Sequence, residues 1–161
     1  FEKLVGHQSR LLSGWQLSGV TRLMSGFPIT LTENDDRSLI GTFGVDRPQF
    51  NGGDLTSNNP RDTLNWIDNA KKTFSLEPLG QVGNSQRRFF HGPGINNTDL
   101  ALLKNVQLTA GSSLQLRAEL FNAFNHAQFL NPTGNINSSS FMVIRSTRDP
   151  RIGQLAVKFL F

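Results

Sequence analysis

No cysteine occurs among the 161 residues. Its absence excludes disulfide scaffolds and thiolate zinc sites, and suits an oxidising compartment such as a periplasm as well as many cytosolic settings. There is no run of about 18 apolar residues, so no transmembrane helix is predicted. That exclusion leaves a membrane barrel untouched, because barrel strands alternate and give a weak hydropathy signal. The first residues, FEKLVGHQSRLLSGW, lack an initiator Met and lack the charged, apolar and small-residue regions of a signal peptide. They read as cut from the middle of a longer polypeptide, and the chain is expected to be its C-terminal end. Catalytic signatures are missing too: there is no nucleophile elbow, Walker loop or dinucleotide fingerprint. His7, His91 and His126 have no ligand spacing. No catalytic, cofactor or metal site is therefore expected, and the chain is read as not an enzyme. Charged residues are scarce, at 17%. Asn, Ser, Gly and Thr carry much of the polarity instead, which favours β structure with long polar loops. The net charge of +4 is only a weak pull toward anionic partners.

What is present is period-two alternation. From Trp15 the odd positions run Trp15, Leu17, Gly19, Thr21, Leu23, Ser25, Phe27, Ile29 and Leu31, mostly apolar, while the even ones run Gln16, Ser18, Val20, Arg22, Met24, Gly26, Pro28, Thr30 and Thr32. Such a pattern sets one face against an apolar medium and the other against a polar one. Residues 15–32 are predicted as one long strand, with a bulge at Ser25–Gly26 and Pro28 near its end. Trp15 and Phe27 are twelve residues apart. At about 3.3 Å per residue and a tilt near 45° that is roughly 28 Å along a membrane normal, close to the apolar band of about 25 Å bracketed by aromatic girdles. Both are expected at membrane interfaces.

Two further alternating runs flank a short turn, TAGS: Leu100, Leu102, Val106 and Leu108 before it, with Lys104 interrupting, and Leu114, Leu116, Ala118 and Leu120 after it. They predict a hairpin of strands at about 97–108 and 113–125. A last strand, 151–161, ends on Leu155, Val157, Phe159 and Phe161. Long polar loops span about 33–96 and 126–150. Within the first, TLNWIDNAK is expected to form a helical turn that buries Trp66 and Ile67. The fold class predicted is all-β: antiparallel strands forming the C-terminal part of a transmembrane β-barrel, with short turns on the periplasmic side and long extracellular loops.

Four blocks carry a resemblance: GWQLSGVTRLMSGFPIT, GNSQRRFFHGPGINNTDLALLKN, LQLRAELFNAFNHAQFLNP and RDPRIGQLAVKFLF. In this order they resemble the barrel region of TonB-dependent receptors, particularly the Oar-like outer-membrane proteins that carry a carboxypeptidase-regulatory-like domain. The ending also resembles the signal by which the barrel-assembly machinery recognises its clients. Gln154, Ala156, Phe159 and Phe161 occupy the places of that pattern, with Ala156 standing where Gly is usual. The resemblance implies a barrel of many strands around a plug, in the bacterial outer membrane. It further implies coupling to TonB through an N-terminal region and uptake of a bulky small-molecule or oligosaccharide substrate.

Arg22, Arg117 and Glu119 are the lumen-facing candidates; the plainer role for Arg117 and Glu119 is a charge pair lining the wall. Arg22, Lys104 and Lys158 are read in the same way as wall-lining charges, the alternative for Lys104 being a place near a rim, where its amine reaches the headgroups. Glu33, Asp35 and Asp36 offer oxygen ligands but lack the spacing of a calcium loop, and are read as a solvated loop tip. Arg87, Arg88, Phe89 and Phe90 are too short a cluster for a nucleic-acid surface; at an outer surface the arginines would meet lipopolysaccharide phosphates. The competing readings are another outer-membrane barrel, a porin or adhesin, and a soluble β-sandwich that binds carbohydrate.

Overall fold

The computed structural model describes residues 13–88 and 90–161; His7 and Phe89 lie outside them. The chain forms two compact units. One comprises residues 13–23 together with 96–127 and 149–161, and the other comprises 24–95 with 128–148.

The first unit is a four-stranded antiparallel sheet in the order β1 (Trp15–Met24), β6 (Ile95–Thr109), β7 (Ser112–Phe121), β8 (Ile152–Leu160). Strands β6 and β7 turn through Ala110–Gly111, with the Thr109 and Ser112 hydroxyls bonded at 2.7 Å across the turn. Both long insertions join the strands at the opposite end of the sheet.

Two strand ends differ from expectation. The strand expected over 15–32 stops at Met24. Pro28–Ile29 forms a separate strand, β2, paired with β5 (Phe90–His91). The cause is local: Gly26 lies so close to the Gly92 carbonyl that a Cβ would sit 1.6 Å from its oxygen. Gly92 N–H donates to the Phe27 carbonyl at 2.8 Å, and Pro28 has no N–H with which to continue a ladder. The roughly 28 Å reckoned between Trp15 and Phe27 is therefore not the length of one strand. The strand expected to reach Asn125 ends at Phe121, because Asn122 and Asn125 take the left-handed conformation that Asn tolerates (φ 49° and 52°). The Asn122 side chain brackets the His126 backbone, accepting from its N–H at 3.0 Å and donating to its carbonyl at 2.9 Å.

The second unit is built from the two predicted loops, and it has a core of its own. Ile29, Leu31, Trp66, Ile67, Ala70, Phe74, Phe90, Phe141, Met142 and Ile144 are buried together. Regular structure is sparse: β2 with β5, β3 (Gln49–Phe50) with β4 (Phe74–Ser75), and one short helix, α1 (Ala70–Thr73). Trp66 and Ile67 are buried as expected, and the helical turn follows them rather than containing them. Residues 128–148 are stitched to the longer insertion through Thr32–Asn135 and Asn65–Val143 bridges. Phe74, 1% exposed, is the hub. Its ring centroid lies 5.4 Å from Phe50, 5.9 Å from Phe90 and 6.0 Å from Phe141, the last two edge-on, the arrangement aromatic quadrupoles favour.

Removing that ring leaves a cavity that packed neighbours close only in part. Phe74→Ala should cost the second unit about 3–5 kcal/mol. Hydrogen exchange in the full protein should show faster exchange for amides of 24–95 and 128–148, with β6–β8 amides unchanged. Equal protection in both units of wild type and variant would contradict the hub role.

Candidate functional site

The pairing register sorts the sheet into two chemically opposite faces. Three-strand rows on one face read Leu100–Leu120–Gly153, Leu102–Ala118–Leu155, Lys104–Leu116–Val157 and Val106–Leu114–Phe159. Rows on the other read Ala101–Glu119–Gln154, Leu103–Arg117–Ala156 and Asn105–Gln115–Lys158. On β1, Gly19 faces Leu100, and the Thr21 hydroxyl meets that of Thr98 at 3.1 Å. Odd positions of β1, Trp15 among them, thus share the apolar face, and Arg22 falls on the polar one. Arg117 bonds to Glu119, and Gln115 donates to Asn105 at 3.0 Å. Leu17, Leu155 and Val157 stand about 70–85% exposed on the apolar side. Phe161 is almost fully exposed and stacks on Phe159 at 5.8 Å.

Lys104 is the exception on the apolar face. It is 6% exposed; its amine donates to the Ser13 carbonyl and lies 4.9 Å over the Trp15 ring. A cation set among leucines needs such partners, and the ring face supplies one electrostatically.

In the second unit the acidic residues separate. Asp36 accepts from the backbone N–H groups of Ile40 and Gly41 and closes a turn, whereas Glu33 points inward. Residues 29, 31 and 33 alternate inward, so Glu33 is fully buried in line with Ile29 and Leu31. The solvated loop tip expected for it is thus wrong: the alternation that buries Ile29 carries through to the carboxylate. Glu33 meets Asp46 and Glu77, one oxygen from each lying within 4.8 Å of the others. The backbone helps to place them, Glu33 N–H donating to the Asp46 carbonyl at 3.1 Å and Arg37 Nε to the Glu77 backbone carbonyl at 2.8 Å. Asp46 is held anionic, below the usual carboxylate range, chiefly by Ser38, whose Oγ and N–H donate at 2.6 and 2.8 Å. No N–H or hydroxyl of the described protein donates to the carboxylates of Glu33 or Glu77. Burial first, then the facing Glu77 carboxyl through a shared proton and its charge, then Asp46, push Glu33 up to about 7, against the pull of Arg37. Sequence reasoning missed Asp46 and Glu77 because they are 13 and 44 residues from Glu33 and share no spacing motif.

Other candidates stay apart from this cluster. His91 is exposed on β5, and the His126 ring contacts the Asn96 carbonyl at 3.3 Å. Arg87 and Arg88 are exposed. A polar cleft of about 490 Å³ in the second unit is lined by Asp54, Thr56, Asn58, Asp68, Asn69 and Lys72, among others.

A family model described as an outer membrane beta barrel domain matches residues 3–154, nearly the whole chain. No curated protein and no solved structure matches it.

The acidic cluster makes stability depend on pH. An unfolded chain releases the Glu33 proton near 4.5, whereas the folded unit holds it to about 7 among Glu77, Asp46 and Arg37. Between those values the unfolded state binds fewer protons, so stability falls as pH rises. In chelating buffer, Glu33→Gln should match wild type near pH 4.5 in protease resistance of the second unit, and exceed it increasingly toward pH 7. A gap that stays constant with pH would argue against this coupling.

Proposed function

The chain belongs to the outer membrane β-barrel domain family, and from that premise we propose that its four strands are adjacent staves of a TonB-dependent receptor. Such a receptor takes up a bulky nutrient, a siderophore or an oligosaccharide, across the bacterial outer membrane. Membership in the family places the sheet in that membrane, where hydrocarbon covers the apolar rows and the polar rows turn to the interior. On this reading Arg22, Arg117 and Glu119 line the lumen. Trp15 with Lys104 marks the periplasmic interface, and Phe27 lies toward the outer one. Gln154, Ala156, Phe159 and Phe161, on and just after the edge strand β8, address the protein to the barrel-assembly machinery. TonB couples through the plug side, and Arg87 and Arg88 meet lipopolysaccharide phosphates outside. The role is transport rather than catalysis.

The observation that supports a receptor over an open pore is the second unit. Two insertions leaving one end of the sheet fold around a shared aromatic core and present a polar cleft of about 490 Å³. Loops ordered in this way offer a solute a fixed surface, as capture requires.

Two measurements test the reading. Full-length protein in a planar bilayer should carry no steady ohmic current, because a plug closes the barrel; a stable open conductance would favour a porin. Deleting Phe161 should lower the amount of heat-modifiable barrel in outer membranes several-fold while synthesis continues, since an edge strand recruits its partner by β-augmentation. Full assembly of the deletion would remove the addressing role.

A further inference from the structure

Three carboxylates with two of them wholly buried need neutralising, and only a proton or a cation does so at this distance. We propose that Glu33, Asp46 and Glu77 form a binding site for a hard divalent cation, of the size of Ca²⁺, within the loop unit. The donor set is all oxygen, which is what Ca²⁺ takes, at about 2.3–2.6 Å. Oxygens on opposite sides of such an ion stand roughly 5 Å apart, and one oxygen from each of these carboxylates lies within 4.8 Å of the others.

Two observations beyond the cluster point to a ligand. The carboxylates of Glu33 and Glu77 are 0% exposed and receive no N–H or hydroxyl donor from the described protein, yet one oxygen of each lies within 4.8 Å of the other. Asp46 is already oriented: both its oxygens accept from Ser38, the outer-shell arrangement that fixes metal-binding carboxylates. Arg37 donates its Nε to the Glu77 backbone carbonyl, and none of its N–H groups hydrogen-bonds the Glu33 or Glu77 carboxylate. A shared proton neutralises one carboxylate and leaves two anions close together in an apolar surround. A divalent ion satisfies all three and ties together segments 13 and 31 residues apart along the chain. The consequence is a loop unit whose order depends on the cation, with the affinity of extracellular modules, about 10⁻⁴–10⁻³ M. The site stands whether the barrel is a receptor or a passive pore, since it belongs to the loop unit alone.

The test uses the full-length protein, purified in detergent and stripped with chelator, titrated with CaCl₂ by calorimetry. Wild type should bind one equivalent more than Glu33→Gln or Glu77→Gln, both nearly isosteric and both checked for heat-modifiable migration. Wild type and both variants binding with the same stoichiometry and affinity would overturn the site. A second readout needs no variant: CaCl₂ should slow proteolysis between residues 33 and 80 of the wild type several-fold. Cleavage there at the same rate with chelator and with millimolar Ca²⁺ would overturn it equally, and would assign the cluster to a shared proton.

Discussion

Everything in the sheet depends on its register. Because side chains alternate strictly, a slip of one residue between β7 and β8 would exchange the two faces completely. Arg117 and Glu119 would then join the face of Leu116 and Leu120, and on the lipid side of a barrel an Arg costs about 2–4 kcal/mol near the bilayer midplane and a Glu less. No single cross-strand pair, at roughly 0.2–1 kcal/mol, competes with that. The solvent therefore sets the register, and individual contacts refine it. Lys104 tests the rule from the other side. It occupies an apolar row opposite Leu116, and it is tolerated because its stem lies along the sheet while its amine reaches the Ser13 carbonyl and the Trp15 ring.

The same dependence explains what was legible in the sequence. The hairpin of β6 and β7, the partnership of β7 with β8 and the identity of the apolar rows follow from alternation plus one short turn, since a two-sided sheet admits few other solutions. The all-β class could be read for the same reason, whereas the outer-membrane location came from the contrast of short turn and long loops and from the resemblance of the four sequence blocks. The ends of the strands could not be read. Asn122 and Asn125 terminate β7 through left-handed backbone and a bracket on His126, and neither feature disturbs the hydrophobic pattern. A run such as LRAELFNAF keeps its composition on both sides of the boundary.

The second unit was the least legible part. Turn formers dominate its sequence, and its apolar residues are scattered singly, so no periodicity announces a core. Its order comes from long-range meeting of those single residues: Phe50, Phe74, Phe90 and Phe141 lie far apart in the chain and converge on one ring cluster. Many of the hydrogen bonds among its described residues run between loops distant in the chain, such as Thr32 N–H to the Gly134 carbonyl and Trp66 N–H to that of Met142. Only tertiary structure reveals this kind of folding, and the carboxylate cluster is part of it. Glu33 lay in view as an acidic loop residue, but its meaning came from Asp46 and Glu77 arriving beside it.

Alternation reports that a face is buried without naming what buries it. Odd positions from Trp15 to Glu33 keep one parity, yet Trp15, Leu17 and Leu23 lie on an open sheet face while Ile29, Leu31 and Glu33 are packed inside protein. The change of medium falls at Ser25–Phe27, where the Gly26 backbone abuts the Gly92 carbonyl and the chain exchanges a long ladder for a two-residue one. Glycine and proline there do more than turn the chain, because they mark where burial by lipid gives way to burial by protein. A carboxylate in register with the first medium would be expelled from it. In register with the second it can be kept, provided that something neutralises it. The inward position of Glu33 is thus intelligible only once the strand is known to have ended nine residues earlier, at Met24.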